Sequence, residues 1–153
     1  MKTRTGNFPI GFRFGGAQWQ NNVSNLIEWA KTHEFEAIDF GIDGDQTARV
    51  AVAAGLRVGS VDLLDWKNMI IADKGVRTEA ISRNINYIES CASVGALNHF
   101  VVMLPQDPSL PRIKNFGYMV ESFNQLASVL EVNQARLVIE GWPGPGALCC
   151  TPE

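Results

Sequence analysis

Residues 135–146 read ARLVIEGWPGPG, and this stretch decides the fold class. It contains the apolar run Leu137-Val138-Ile139, which is typical of a strand buried on both faces of a parallel sheet. Glu140 follows, and the glycines and prolines after it turn the chain out of the sheet. α/β proteins place their chemistry at such carboxyl ends of buried strands. Glu140 is therefore a candidate functional residue, the alternative being that it is only the first solvated residue after the strand.

The chain before this stretch alternates between strand and helix patterns. Short apolar runs typical of strands occupy residues 10–14, 37–42, 56–64 and 99–104. Apolar residues with helical spacing follow each run, at residues 23–30, 46–54, 74–94 and 116–131. Strands that alternate with helices predict a parallel sheet with right-handed crossovers, to which residues 136–140 add a fifth strand.

Two α/β architectures fit this order of elements. One is a flavodoxin-like, doubly wound sheet of five strands, which suits a chain of 153 residues. The other is the first part of a (β/α)8 TIM barrel, a fold that takes about 250 residues. The pattern shows no helix after the fifth strand, which favours the barrel. We predict a partial TIM barrel of about four βα units plus a fifth parallel strand, a single domain over residues 1–153 that is truncated after strand five.

Composition excludes several classes of protein. Apolar residues make up 46% of the chain and charged residues 19%, as in an ordinary globular domain. The net charge is -3 and no basic stripe occurs, so we expect no nucleic-acid partner. The three cysteines have neither zinc nor disulfide spacing, and residues 1–6 lack the apolar core of a signal peptide, which together predict a reducing, cytoplasmic location. No apolar stretch approaches the roughly 20 residues of a membrane helix.

Polar and aromatic residues follow the third strand. Asp65 and Trp66 come directly after it, where an aromatic ring beside an acid can shape a polar ligand pocket or simply cover the end of the core. His99 starts the fourth strand at its amino end, the end that serves stability in barrels, so it is left out of the site. The pair Gly15-Gly16 matches no nucleotide-binding motif and predicts a plain turn.

Several longer segments resemble a known family. They are NYIESCASVGALNHFVVMLPQDPSLP, NFGYMVESFNQLASVLE and ARLVIEGWPGPGALCCTPE, with weaker matches in IGFRFGG and SVDLLDW. Together they resemble the sugar phosphate isomerase/epimerase family, which has the xylose isomerase-like TIM-barrel fold and shares it with endonuclease IV-like enzymes. The resemblance covers the chain from about residue 8.

The resemblance implies a metal-dependent enzyme. Members of the family bind a divalent metal (Mn, Mg, Co or Zn) at the carboxyl ends of the barrel strands, and Glu140 matches the first of the family's metal ligands. The others would lie beyond residue 153, and one carboxylate cannot hold such a cation alone. We therefore expect a truncated chain that is inactive as it stands. The alternative is a non-catalytic half barrel that pairs with itself, as a homo-oligomer, or with another chain.

The chemistry implied by the resemblance is carbohydrate metabolism, with a sugar or sugar phosphate as the partner. A base removes the proton next to a carbonyl and an enediolate forms, with Glu140 as metal ligand and catalytic base. The expected substrate-binding residues lie at strand ends: Trp66 and Trp142 as walls for the sugar, and Arg13, Asp65 and Gln106 as contacts to hydroxyls or a phosphate.

Overall fold

The computed structural model describes residues 8–149, so Cys150 lies outside the described residues. All neighbouring strands are parallel, and they form one sheet in the sequential order β1 (Gly11–Arg13), β2 (Ala37–Phe40), β3 (Arg57–Asp62), β4 (Asn98–Val102) and β5 (Arg136–Glu140). The helices are α1 (Val23–Thr32), α2 (Gly44–Ala53), α3 (Lys74–Ser93), α4 (Arg112–Asn124) and α5 (Ala127–Val132). The strand order confirms the partial barrel and rules out the flavodoxin-like alternative, because a doubly wound sheet reverses its strand order.

The sheet is curled as a barrel wall is. Arg13 belongs to β1, yet its guanidinium carbon lies 4.8 Å from the centre of the Phe100 ring on β4. A side chain can span from the first strand to the fourth only where the sheet bends around it. The face that carries these two residues is therefore the inner face, and the helices pack on the outer face.

Two buried clusters on the outer face hold the helices to the sheet. The first joins α1 and α2 to β2 and β3 through side chains such as Leu26, Ile38 and Phe40. The second joins α3, α4 and α5 to β4 through residues such as Ile88 and Leu126. Cys91, expected in the core from its helical position, is fully buried.

The fourth predicted helix differs from the structure. We expected one helix over residues 116–131, but the chain forms α4 from Arg112 and a separate α5 from Ala127. The early start was missed because residues 112–115 carry little apolar periodicity. The break falls where the amides of Gln125 and Leu126 donate to carbonyls three residues back, which tightens the last turn of α4.

The prediction that β5 is buried on both faces is wrong for the described residues. Val138 is 42% exposed and Ile139 is 48% exposed. Among residues 8–149, β5 pairs with β4 and has no second neighbour, so both of its faces stay partly open. Its apolar composition is that of an inner strand, but its place is at the edge of the sheet.

His99 is fully buried at the start of β4. Its ring packs edge-on against Tyr87, with the ring centres 6.0 Å apart. Neither ring nitrogen has a hydrogen-bond partner within the described chain, and burial lowers the pKa of His99 to about 4. A neutral histidine inside the core fits the structural role that its position at the amino end of the strand predicts.

None of the helices in residues 8–149 has the length and apolar character needed to cross a bilayer.

Candidate functional site

A β-bulge in β3 decides which side chains reach the inner face. Ile38 of β2 pairs with Val58, and Phe40 pairs with Val61, so Gly59 and Ser60 together stand opposite the single residue between. The extra residue reverses the alternation of side chains along the strand. Val58 and Val61 therefore both pack into the outer core. The residue after them, Asp62, points to the inner face.

Asp62 binds Arg13 across the inner face. One guanidinium nitrogen of Arg13 lies 2.8 Å from both carboxylate oxygens of Asp62. The side chains are 45% and 21% exposed, so solvent screens the pair only in part. The same guanidinium stacks on Phe100. Arg13, a predicted substrate contact, is thus held in place by an acid and by an aromatic ring, and it remains partly accessible.

The Arg13–Asp62 pair lines a cavity of about 560 Å³. Its other walls come from the loops after β1 and β2, including Gly15, Gly41 and Ile42. This size falls in the range of pockets that hold small molecules. We refer to it below as the first cavity.

A second cavity of about 370 Å³ opens at the ends of β3 and β4. Asp65, Trp66 and Gln106 line it together with Ile42 and Asn68. The structure thus places three predicted substrate residues around one space. The backbone amide of Gln106 donates to the carbonyl of Ile70 at 3.0 Å, which ties the loop after β4 to the segment after β3.

The segment that carries Asp65 and Trp66 is held from α3. Asp65 adopts a left-handed backbone conformation with φ of 39°, which costs energy for a residue other than glycine. Its carboxylate accepts a hydrogen bond of 2.8 Å from Arg83. Fully buried Asn84 bonds both the amide of Leu64, at 3.0 Å, and its carbonyl, at 2.8 Å. These contacts fix the strained turn and with it the orientation of Trp66.

Glu140 ends β5 on the same face as Arg13. In the parallel register Val138 pairs with Phe100 and Glu140 pairs with Val102, and residues two apart on a strand share a face. Glu140 is exposed and lines neither of the two cavities. Its carboxylate is therefore open to a ligand placed at the inner face.

Trp142 is 44% exposed and lies in the loop after Glu140. Its ring covers Gly144 so closely that a side chain at residue 144 would collide with it. Arg112 anchors the same loop by donating hydrogen bonds to the carbonyls of Ala147, at 2.5 Å, and Leu148, at 2.9 Å. Trp142 lines neither of the two cavities.

The residues present do not by themselves fit a divalent metal. Over residues 8–149 no group of three or more His, Cys, Asp or Glu side chains is arranged to hold one. Glu140 supplies a single carboxylate, whereas Mg²⁺ or Mn²⁺ takes about six ligands.

Sequence reasoning missed three residues of this edge. Asp62 reaches the inner face only because of the bulge, and no residue type in β3 predicts this change in the alternation of its side chains. Ile42 was assigned to a strand but follows β2 and lines both cavities. Asn84 lies within an amphipathic helix, where its polar side chain at a buried position was the one available signal.

Comparisons with known proteins agree with the geometry at the level of the fold. Neither a family model nor a curated protein matches the sequence. Solved structures do match. The D-psicose 3-epimerase of Clostridium cellulolyticum H10, solved with D-tagatose, is 13% identical with a TM-score of 0.68, over 85% of this chain and 51% of that one. The chain has the fold of part of a TIM barrel.

Two further matches show how broad this fold group is. A xylose isomerase domain protein of Alicyclobacillus acidocaldarius is 14% identical with a TM-score of 0.63, over 86% of this chain and 49% of its own. An AP endonuclease, family 2, of Brucella melitensis is 14% identical with a TM-score of 0.67, over 92% of this chain and 59% of its own. The chain therefore spans about half the length of these proteins, and identities this low establish the fold alone.

Proposed function

We propose that this protein belongs to a sugar isomerase or epimerase and supplies the sugar-binding edge formed by the ends of β1 to β5. The observation that carries the proposal is the second cavity, which collects Asp65, Trp66 and Gln106 at the carboxyl edge of a barrel wall. Support also comes from structural neighbours, since several are sugar epimerases or xylose isomerase-like proteins.

The residues around the cavities suit a polyhydroxylated ligand. Trp66 offers a flat apolar face, while the amide of Gln106 and the carboxylate of Asp65 donate and accept hydrogen bonds. Arg13 was expected to contact hydroxyls or a phosphate. Because both oxygens of Asp62 already bind its guanidinium, a hydroxyl is the better match than a dianion beside that acid.

Glu140 is the proposed proton carrier. Its carboxylate takes the proton from the carbon next to the sugar carbonyl, which leaves an enediolate. In an isomerisation the same carboxylate returns the proton to the neighbouring carbon, while a second proton moves between the two oxygens of the enediolate. An epimerisation instead returns a proton to the same carbon on its opposite face, which requires a proton donor on that face. Trp142 follows in the loop after Glu140, where its amide donates to the Glu140 carbonyl at 2.9 Å, and the role we assign to its ring is to shield that exchange from bulk water.

Deuterium exchange tests this proposal. The chain is incubated in D₂O with D-fructose or D-tagatose, and NMR follows loss of the protons next to the carbonyl. We expect slow exchange by the wild-type chain, without the full turnover that a completed metal site would give, and its loss in Glu140→Gln, while Glu131→Gln on α5 serves as the control. Exchange that persists in Glu140→Gln would remove Glu140 from the mechanism, and absence of both exchange and sugar binding in the wild type would refute the function.

A second candidate function rests on the edge of β5. Val138 and Ile139 are exposed there, and the strand has an unpaired side within the described residues. We propose as the alternative a non-catalytic half barrel that pairs with a second copy of itself. Light scattering over a dilution series decides: a dimer that Val138→Lys dissociates supports it, and a monomer at all concentrations refutes it.

A further inference from the structure

Ile42 separates the two cavities. It lies two residues after the end of β2, it is 60% exposed, and it lines both spaces. The adjacent residues Asp62 and Leu63 at the end of β3 also line one cavity each. The cavities therefore adjoin at the ends of β2 and β3, and the side chain of Ile42 is a wall that they share.

The two cavities offer complementary contacts. On one side of Ile42, the Arg13–Asp62 pair presents a donor and acceptor oxygens close together, which suits two neighbouring hydroxyls. On the other side, Trp66 and Gln106 offer an aromatic face and an amide. Ile42 has no polar group, so it contributes only shape and contact with C–H groups between these two polar regions.

The backbone close to Ile42 is anchored to the core. Two residues later, the amide of Gly44 donates to the hydroxyl of buried Tyr87 at 3.0 Å. A side chain at residue 44 would collide with Val61 and Tyr87, so the backbone there is packed against the sheet and α3. Isoleucine itself is branched at the β-carbon and has few rotamers. An anchored backbone and a side chain with few rotamers favour one position for this wall.

We propose that the two cavities form one elongated site for an open-chain ketose and that Ile42 determines the length of sugar it accepts. This rests on the proposed function and adds a specificity-determining residue to it. The end of the sugar that carries adjacent hydroxyls binds the Arg13–Asp62 pair, the chain passes over Ile42, and the other end lies beside Trp66 and Gln106.

Variants of Ile42 test the inference. Ile42→Ala joins the cavities more widely and Ile42→Trp narrows the passage between them. The matched controls are Ile113→Ala and Ile113→Trp, because Ile113 is an isoleucine that is 76% exposed on α4 and lines neither cavity. Binding of erythrulose, D-fructose and sedoheptulose, with four, six and seven carbons, is measured by ligand-observed NMR.

The ratio of affinities for the seven-carbon and four-carbon ketoses is the readout. We expect Ile42→Ala to raise it by about tenfold and Ile42→Trp to lower it by a similar factor, since pocket changes of one or two methylene groups have effects of that order. The Ile113 variants should leave the ratio unchanged. If the wild type binds the ketoses and Ile42 variants keep the wild-type ratio, the role of Ile42 is wrong while the function stands. If no ketose binds the wild type, the proposed function is wrong and this inference with it.

Discussion

Asn84 on α3 bonds both backbone groups of Leu64, accepting from its amide at 3.0 Å and donating to its carbonyl at 2.8 Å. Its side-chain amide provides the hydrogen bonds that a neighbouring strand would provide to Leu64, at the point where β3 ends and the segment with Asp65 and Trp66 begins. Because Asn84 is fully buried, water cannot replace it.

We therefore expect Asn84→Ala to lower the free energy of unfolding by about 2–4 kcal/mol, since it removes several buried hydrogen bonds and leaves a cavity. Urea unfolding monitored by circular dichroism measures it. Asn133→Ala is the control, because Asn133 donates one bond to Val129 at the end of α5 and is only half-buried. A loss at Asn84 no larger than that at Asn133 would show that the Leu64 contacts matter little.

Gly59 sits in the bulge against the carboxylate of Asp39. A β-carbon at residue 59 would collide with one oxygen of that carboxylate, which also accepts a hydrogen bond of 2.9 Å from Ser60. We expect Gly59→Ala to destabilise the fold by about 1–3 kcal/mol.

Gly117→Ala is the control for Gly59→Ala, and the opposite change in stability is expected of it. Gly117 lies inside α4, and a β-carbon there would meet no atom within 4 Å. Gly117→Ala should therefore stabilise the protein by about 0.5–1 kcal/mol, because glycine is costly in a helix. Thermal melts of the two variants give the sign of each change. The bulge argument would fail if Gly59→Ala melted at or above the wild-type temperature.

The order of elements was predictable from the sequence because its signals are local. Alternating strand and helix periodicities, the glycine and proline run after Glu140, and the acid-aromatic pair Asp65-Trp66 each occur within a few residues. They predict the parallel sheet, which the structure confirms, while the substrate-binding role of Asp65, Trp66 and Gln106 stays a prediction.

What escaped prediction depends on relations between distant parts of the chain. The direction of Asp62 follows from one extra residue in β3 relative to β2, which only the pairing reveals. Val138 is exposed because β5 has no second neighbouring strand within the described residues. The amino-acid composition of a strand does not indicate its position in the sheet.

The Arg13–Asp62 pair should contribute little to stability. Its side chains are 45% and 21% exposed, and such pairs couple by about 1 kcal/mol or less. A double-mutant cycle with Arg13→Gln and Asp62→Asn measures the coupling at low and high salt. We expect it to fall with added salt, because screening acts on exposed charges. A coupling well above this value and independent of salt would show that the pair is a structural link rather than an accessible binding group.

His99 should make the protein sensitive to acid. Burial lowers its pKa from the ordinary 6.5 to about 4, so between these values the unfolded chain binds a proton that the folded chain does not. The free energy of unfolding therefore falls as the pH drops from about 6.5 to about 4, by about 3 kcal/mol in total. Above pH 6.5 His99 is neutral in both the folded and the unfolded chain, so this loss of stability is absent.

Urea unfolding at a series of pH values, with wild type and His99→Phe, checks this effect. Phenylalanine keeps an aromatic ring in the core against Tyr87 and has no group to protonate, so the slope between pH 4 and 6.5 should decrease. His33→Gln is the control, since His33 is exposed at the end of α1. If the free energy of unfolding of His99→Phe falls with decreasing pH as steeply as that of the wild type, then carboxylates elsewhere cause the acid sensitivity. The charged form of His99 would in that case be stabilised by a partner in the folded chain.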